Sequence, residues 1–105
     1  MPEALEASVG IGVIHLFCTV GEGTDRAAIE AAVKAAQADD LQVVPVAVLG
    51  HKADVAFMVL GKDWWKLKSF QTALSVAGLT IIDSYVSMTE LSEYAKGLPE
   101  QMANA

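Results

Sequence analysis

The chain has 105 residues, of which 53% are hydrophobic, and its mean hydropathy is +0.40. A chain of this length supports one domain, and a small domain with so much apolar surface commonly buries part of it against a partner. Thirteen acidic and seven basic residues give a formal net charge of −6. This charge argues against nucleic acid and anionic membranes as partners, because both bind basic surfaces.

Cysteine usage and the N-terminus indicate a compartment. The single cysteine, Cys18, excludes an internal disulfide framework and fits a reducing environment. Residues 1–6 are acidic, whereas the start of a signal peptide is basic. No apolar run approaches the roughly 20 residues of a membrane span. We therefore expect a cytoplasmic protein that does not enter a membrane.

The first two predicted elements are a strand and a helix. From Gly12 to Val20 the side chains alternate as in a strand, and the glycines at 21 and 23 end it. Thr24 is the predicted N-cap of a helix over residues 26–38, with Asp25 in the first turn. That stretch is rich in alanine, lacks Gly and Pro, and carries one apolar stripe.

The next two elements form a predicted hairpin. Residues 42–49 are mostly β-branched and lack clean alternation, so both faces of this strand are predicted to be buried. Pro45 cannot donate to a ladder, which confines the strand to a sheet edge. A short polar turn at 50–53 leads into residues 54–60, so the two strands are predicted to pair antiparallel.

The second helix begins after a predicted N-cap at Asp63 and ends at Ala77-Gly78. Its apolar stripe consists of Trp64, Leu67, Phe70 and Leu74, with Gln71 beside it. A fourth strand follows over 79–86, and the chain turns polar after residue 89, with a break at Pro99. The domain is expected to span residues 1–99, with 100–105 as the start of a linker or tail.

The order of strand, helix, strand, strand, helix, strand predicts an α+β, ferredoxin-like βαββαβ domain. Its sheet is antiparallel and four-stranded, with both helices on one face. Alternate residues of the first and third strands are nevertheless apolar on both faces. We expect Phe17, Phe57 and Val59 on one face and Leu16, Met58 and Leu60 on the other. One set should contact another sheet, which forms a dimeric α+β barrel.

Few residues are candidates for chemistry. His15 and Cys18 are predicted to point to opposite faces of the first strand, so they cannot share a metal ion. His15 is interpreted as a core or interface histidine and His51 as a solvated turn residue. The helical spacing places Trp64 in the core, and Trp65 at a rim or interface.

Two acidic residues near the C-terminus, Glu90 and Glu93, are one helical turn apart, with Ser92 and Tyr94 beside them. They are interpreted as surface or capping residues. The glycines at 21 and 23 lack the further residues of a phosphate-binding loop. No residues form a nucleophile, base and orienting group, so residue chemistry alone reveals no active site.

Two segments nevertheless resemble a known family. The first is the Ala-Asp-x-x-Phe-Met hairpin at 53–58, with the helix that follows it. The second is Ser-x-Thr-Glu-Leu-Ser-Glu-Tyr at 87–94. Together they resemble the N-terminal half of the chlorite dismutase-like haem proteins, which include coproheme decarboxylases. The resemblance spans roughly residues 12–99 and implies two ferredoxin-like domains packed sheet to sheet, in subunits that assemble into larger rings.

The resemblance implies a haem-dependent oxidoreductase, but not a complete active site in this chain. In that family the iron ligand and the distal catalytic residue come from the second domain or the linker into it. Neither His15 nor His51 aligns with the ligand, and the linker would begin near Ala105. Haem or coproheme binding is therefore expected only when a second domain is supplied. Ser92 and Tyr94 match a segment near the porphyrin propionates, where a hydroxyl could donate a hydrogen bond. Glu93 departs from this role, since it would place a like charge nearby.

Three hypotheses remain open from the sequence. The chain is the non-haem half of a chlorite dismutase-like protein, a stand-alone dimeric α+β barrel similar to small monooxygenases or isomerases, or a non-catalytic assembly module. Its expected partner is accordingly a second ferredoxin-like domain or another copy of itself, bound through the uncovered sheet face. We expect an oligomer in each case.

Overall fold

A computed structural model describes residues 3–6 and 10–89 of the chain. Its elements follow the predicted order: β1 (Gly12–Thr19), α1 (Arg26–Ala38), β2 (Gln42–Ala47), β3 (Val55–Gly61), α2 (Trp64–Val76) and β4 (Thr80–Met88). Each helix has 13 residues, or about 20 Å at 1.5 Å per residue. Among the described residues, neither helix is long and apolar enough to cross a bilayer.

The four strands form one sheet in the order β2-β3-β1-β4, and every neighbouring pair is antiparallel. This confirms the predicted ferredoxin-like topology. It also confirms that β2 is an edge strand, where the missing N–H of Pro45 is tolerated. Along β4 the register with β1 shifts between Phe17 and Cys18. The two residues Asp83 and Ile81 therefore face consecutive β1 residues, and Ile82 is an extra residue in a bulge.

The start of α1 differs from the prediction. Asp25, not Thr24, is the N-cap, and its carboxylate accepts a hydrogen bond from the Ala28 N–H at 3.2 Å. Thr24 instead joins two loops, because its hydroxyl accepts from the Gly21 N–H at 2.9 Å and donates to the Gly78 carbonyl at 3.0 Å. A threonine followed by an aspartate offers two oxygens that can cap a helix, and the second is the one used here.

The start of α2 agrees with the prediction. Asp63 caps the helix, accepting from the Trp65 N–H at 3.0 Å. The same oxygen accepts from the Leu5 N–H at 3.0 Å, and the Leu5 carbonyl accepts from the Trp64 N–H at 2.9 Å. One carboxylate thus caps the helix and also holds the N-terminal segment against it.

The hydrophobic core lies between the helices and one face of the sheet. Its best-buried members are Leu16, Cys18, Val59, Leu67 and Leu74, each less than 2% exposed. The predicted stripe of α2 points into it, with Trp64 packed at its edge and Trp65 46% exposed. The core is thus confined to one face of the sheet.

The predicted division of residues between the two faces is wrong. In the register of β1 with β3, Leu16 pairs with Phe57 and Phe17 pairs with Ala56. Paired residues share a face, so Leu16, Phe57 and Val59 lie on the helix side. Phe17, Met58 and Leu60 lie on the other side. The sequence could not reveal this, because a helix and a strand separate β1 from β3 and no short turn sets their register.

Candidate functional site

The sheet face opposite the helices is mostly apolar, and we call it the open face. Its main residues are Val13, His15 and Phe17 of β1, Ala56, Met58 and Leu60 of β3, Val44 and Val46 of β2, and Asp83 and Tyr85 of β4. Among the strand residues of this face, Asp83 carries the one formal charge. The alternation along β1 and β3 therefore produces a second hydrophobic surface, as predicted.

Exposure on the open face, which neither described helix covers, differs between the inner and outer strands. On the inner strands Val13 is only 6% and Ala56 9% exposed, and His15 and Met58 are half-buried, whereas Val46 and Tyr85 on the outer strands are 48% and 59% exposed. The sheet has four strands about 4.8 Å apart, and seven residue pairs, which we call rungs, join β1 to β3 at about 3.3 Å per residue. The sheet face therefore has a flat area of roughly 440 Å². Exposed apolar surfaces on small domains commonly mark interaction sites.

The exposed apolar surface continues along β4. Val86 and Met88 point to the helix side, since Val86 pairs with Ile14 and Met88 with Gly12. They are nevertheless 69% and 51% exposed. Of the described elements, β1 makes the main contact with β4. The outer strand β4 thus has exposed apolar residues on both faces of the sheet.

His15 lies at the centre of the open face. It pairs with Met58 in the fourth of the seven rungs that join β1 to β3, the two inner strands. Its Nδ1 is buried and has no hydrogen-bond partner among the described residues. A buried polar atom without a partner costs about 1–3 kcal/mol. Placing His15 on this face agrees with its interpretation as a core or interface histidine.

Tyr85 is a residue of the open face that sequence reasoning did not select. It stands opposite His15 on β4. Its ring packs edge to face on Phe17, with centroids 5.8 Å apart and an interplanar angle of 89°. The alternation of Asp83, Tyr85 and Ser87 could have placed these three residues on one face. It could not have identified the face, because the bulge at Ile82 shifts the register.

Two open depressions lie on this surface. One, of about 410 Å³, is lined by His15 and by apolar residues that include Phe17, Val46, Leu49 and Met58. The other, of about 520 Å³, contains His51, Lys52, Asp83 and Tyr85, and it shares Phe17, Val48 and Leu49 with the first. A stand-alone enzyme of this architecture would be expected to have a deep polar pocket around a histidine. The depression at His15 is instead apolar and open.

A third cleft, of about 430 Å³, lies at the N-terminal segment and is the most charged. Its acidic residues are Glu6, Asp39, Asp40 and Asp63, with Lys62 and Lys66 among them. The Nζ of Lys66 lies 3.3 Å from an Asp39 carboxylate oxygen. Within residues 3–6 and 10–89, no three His, Cys, Asp or Glu side chains are grouped so that they could hold a metal ion.

The structure separates the remaining predicted residues. Cys18 lies on the helix side with 0% exposure, opposite in direction to His15, as predicted. Burial raises the pKa of the Cys18 thiol, so the thiol stays protonated and is a poor nucleophile. His51 is exposed in the turn between β2 and β3, as predicted. Cys18 and His51 are therefore not assembled with His15 into one site.

The predicted propionate contacts, Ser92 and Tyr94, lie outside the described residues, as do Glu90 and Glu93. Their roles stay predictions. No protein-family model matches the chain, and no curated protein sequence matches it at a significant score. The open face is accordingly the candidate site that rests on geometry.

Proposed function

We propose that this chain is the structural half of a haem protein similar to the chlorite dismutases and coproheme decarboxylases. In this role its open face packs on the sheet of a second ferredoxin-like domain. The apolar open face, which neither described helix covers, is the observation that supports the proposal. Packed sheets lie about 10 Å apart, with strands about 30° from parallel, and their inner side chains interdigitate.

Packing on a second sheet would bury side chains that are exposed on this face, among them Val46 at 48% and Tyr85 at 59% exposure. Removing apolar surface from water favours such association.

The described residues do not by themselves fit a haem group. His15 is the one imidazole in the middle of the open face, and its Nδ1 is buried. The nearby cationic residue, Lys52, lies in the exposed turn with His51. The ligand of the iron and the reacting groups are therefore assigned to the second domain. This chain would support that domain and close one side of the barrel.

Titration with haem and coproheme tests the proposal. The chain alone should leave the Soret band of either porphyrin unchanged. A chlorite dismutase-like second domain supplied in trans should bind this chain and give a shifted, saturable Soret band.

A charged substitution at the open face tells specific assembly from nonspecific binding. Phe17→Glu should abolish the complex, because it places a carboxylate in the apolar interface. Ala35→Glu, on the exposed side of α1, should leave the complex unchanged. Stoichiometric haem binding by the chain alone would refute the assignment, as would a Phe17→Glu variant that still assembles.

A stand-alone dimeric barrel is the second candidate. The nearly uncharged open face favours it, because two copies could meet there without opposing like charges. The mass of the complex separates the candidates: the isolated chain would be a dimer without any second domain. A non-catalytic assembly module would show the same dimer and an interface filled without a ligand cavity.

A further inference from the structure

We propose that the depression of about 520 Å³ between the β2–β3 turn and β4, which we call the turn pocket, is a binding site for a small zwitterion with an apolar side chain. An aromatic amino acid has this chemistry. In this site Lys52 binds the carboxylate of the ligand, Asp83 binds its ammonium group and Phe17 contacts its side chain. The site goes beyond the proposed function, because all of its groups belong to this chain.

The walls of the turn pocket are held in place by local structure. The base of the turn is fixed on the end of β1, because the Asp54 carboxylate accepts from the Val20 N–H at 2.8 Å and the Asp54 N–H donates to the Cys18 carbonyl at 2.9 Å. On the opposite side, the bulge residue Ile82 lines the pocket. Bulges are frequent next to active sites, where they redirect a side chain. The pocket is therefore bounded on both sides by irregularities that the fold maintains.

Much of the lining of the turn pocket is apolar and aromatic. Phe17 lies there with Tyr85, and the two rings pack edge to face with centroids 5.8 Å apart. Leu49 is 100% exposed, so nothing in the described part of the chain covers it. An aromatic side chain bound here removes this apolar surface from water and adds a third ring to the pair. Clefts of roughly 300–1,000 Å³ with apolar walls and a few polar groups are typical of small-molecule sites.

The charged groups of the turn pocket have opposite signs and determine the class of ligand. Lys52 is on the turn and Asp83 is on β4, and both are exposed. Neither forms an ion pair within residues 3–6 and 10–89, so the Lys52 ammonium and the Asp83 carboxylate lie more than 4.0 Å apart. A ligand with one charge of each sign complements both groups. A ligand with a single charge meets a like charge in the same pocket, which disfavours its binding.

The hydrogen bonds of the turn pocket support the same assignment. The Asp83 carboxylate accepts from the Ser84 N–H at 2.8 Å, which orients it on the strand. An ionised carboxylate has about four acceptor positions, so the others can bind an ammonium group. On the side of Lys52, the His51 imidazole can donate to the carboxylate of the ligand.

Titration of the full chain with three probes that share a benzene ring tests the site. L-phenylalanine carries both charges, phenylpropionate carries the carboxylate alone, and phenethylamine carries the ammonium alone. We expect saturable changes in the NMR amide shifts of the turn and of β4. The Kd for L-phenylalanine should be about three- to fivefold lower than for either other probe, which is the effect of one exposed ion pair.

Two substitutions assign the charges to residues. Lys52→Gln should weaken the binding of L-phenylalanine about three- to fivefold and leave phenethylamine binding no weaker. Asp83→Asn should weaken L-phenylalanine by a similar factor and leave phenylpropionate binding no weaker, and asparagine can still accept from the Ser84 N–H. Lys62→Gln is the matched control. It removes an exposed lysine of the cleft at the N-terminal segment, so all three probes should bind as to the wild type.

Each contrary outcome has a distinct meaning. If L-phenylalanine gives no saturable shift changes, the site is overturned. If the three probes bind equally, and both substitutions leave their binding unchanged, the pocket binds rings through its apolar lining alone and the zwitterion assignment is overturned. Neither result bears on the proposed function, because no second domain or porphyrin takes part in the titration.

Discussion

The two faces of the sheet contain the same aromatic motif in different surroundings. On the helix side Phe57 packs edge to face on Phe70, with ring centroids 5.8 Å apart at 72°. On the open face Phe17 packs on Tyr85, also at 5.8 Å, at 89°. Phe57 is 3% exposed and Tyr85 59%. The contact geometry is thus similar, and the difference in cover decides how much each pair stabilises the isolated chain.

Truncating the two phenylalanines should give the largest difference. Phe57→Ala should lower the free energy of unfolding by about 3–5 kcal/mol, because it leaves a cavity under the helices. Phe17→Ala should cost less than about 2 kcal/mol, since its ring is already partly solvated in the folded chain. Urea unfolding at concentrations where the chain is monomeric measures both. Equal losses would mean that the open face is covered in the monomer.

Adding methyl groups should reveal the same contrast with a smaller effect. A Cβ at Gly12 would lie 2.7–2.9 Å from three ring atoms of Trp64. Gly12→Ala should therefore destabilise the fold by about 1–3 kcal/mol, as overpacking does, and change the fluorescence of Trp64. Ala56→Val, on the open face, is the matched variant.

None of the described helices or strands packs above Ala56, so Ala56→Val should change the free energy of unfolding by less than about 0.5 kcal/mol. Both changes enlarge a buried residue on one of the two inner strands of the sheet. The comparison between the faces would fail if Ala56→Val were as destabilising as Gly12→Ala.

Local patterns sufficed to predict most of the fold. Alternation in β1, the stripe of Leu67, Phe70 and Leu74, and the cap at Asp63 identify elements from residues close in sequence. Pro45 indicates an edge strand on its own, and β2 is at the edge of the sheet. These features depend on backbone and burial preferences that act within a few residues.

The composition of the candidate site depended on contacts between distant residues. Phe17 and Met58 share a face because of the register between β1 and β3, which no turn determines. Tyr85 joins them because Ile82 forms a bulge. The sequence therefore predicted two apolar faces but could not assign their members or identify the central pair of His15 and Met58.

The reactivity of cysteine thiols also distinguishes the two faces of the sheet, without any change in stability. Cys18 on the helix side should react with a thiol reagent only when the chain unfolds, because it is fully buried and its thiol pKa is raised by burial. A cysteine introduced on the open face, Val44→Cys in a Cys18→Ser background, should react quickly in the monomer. It should become protected when a second sheet covers the face.

The same buried thiol predicts a pH dependence of stability. In the folded chain Cys18 holds its proton more tightly than in the unfolded chain, so its contribution is complete below the ordinary thiol pKa of 9.0. Above that pH the unfolded chain loses the proton first, and the free energy of unfolding falls as the pH rises. Cys18→Val should reduce this alkaline loss, as measured by urea unfolding on both sides of the thiol pKa. If the free energy of unfolding falls equally at alkaline pH in the wild type and in Cys18→Val, groups other than the Cys18 thiol cause the fall. It would also show that the helix-side thiol contributes nothing measurable to the difference between the two faces.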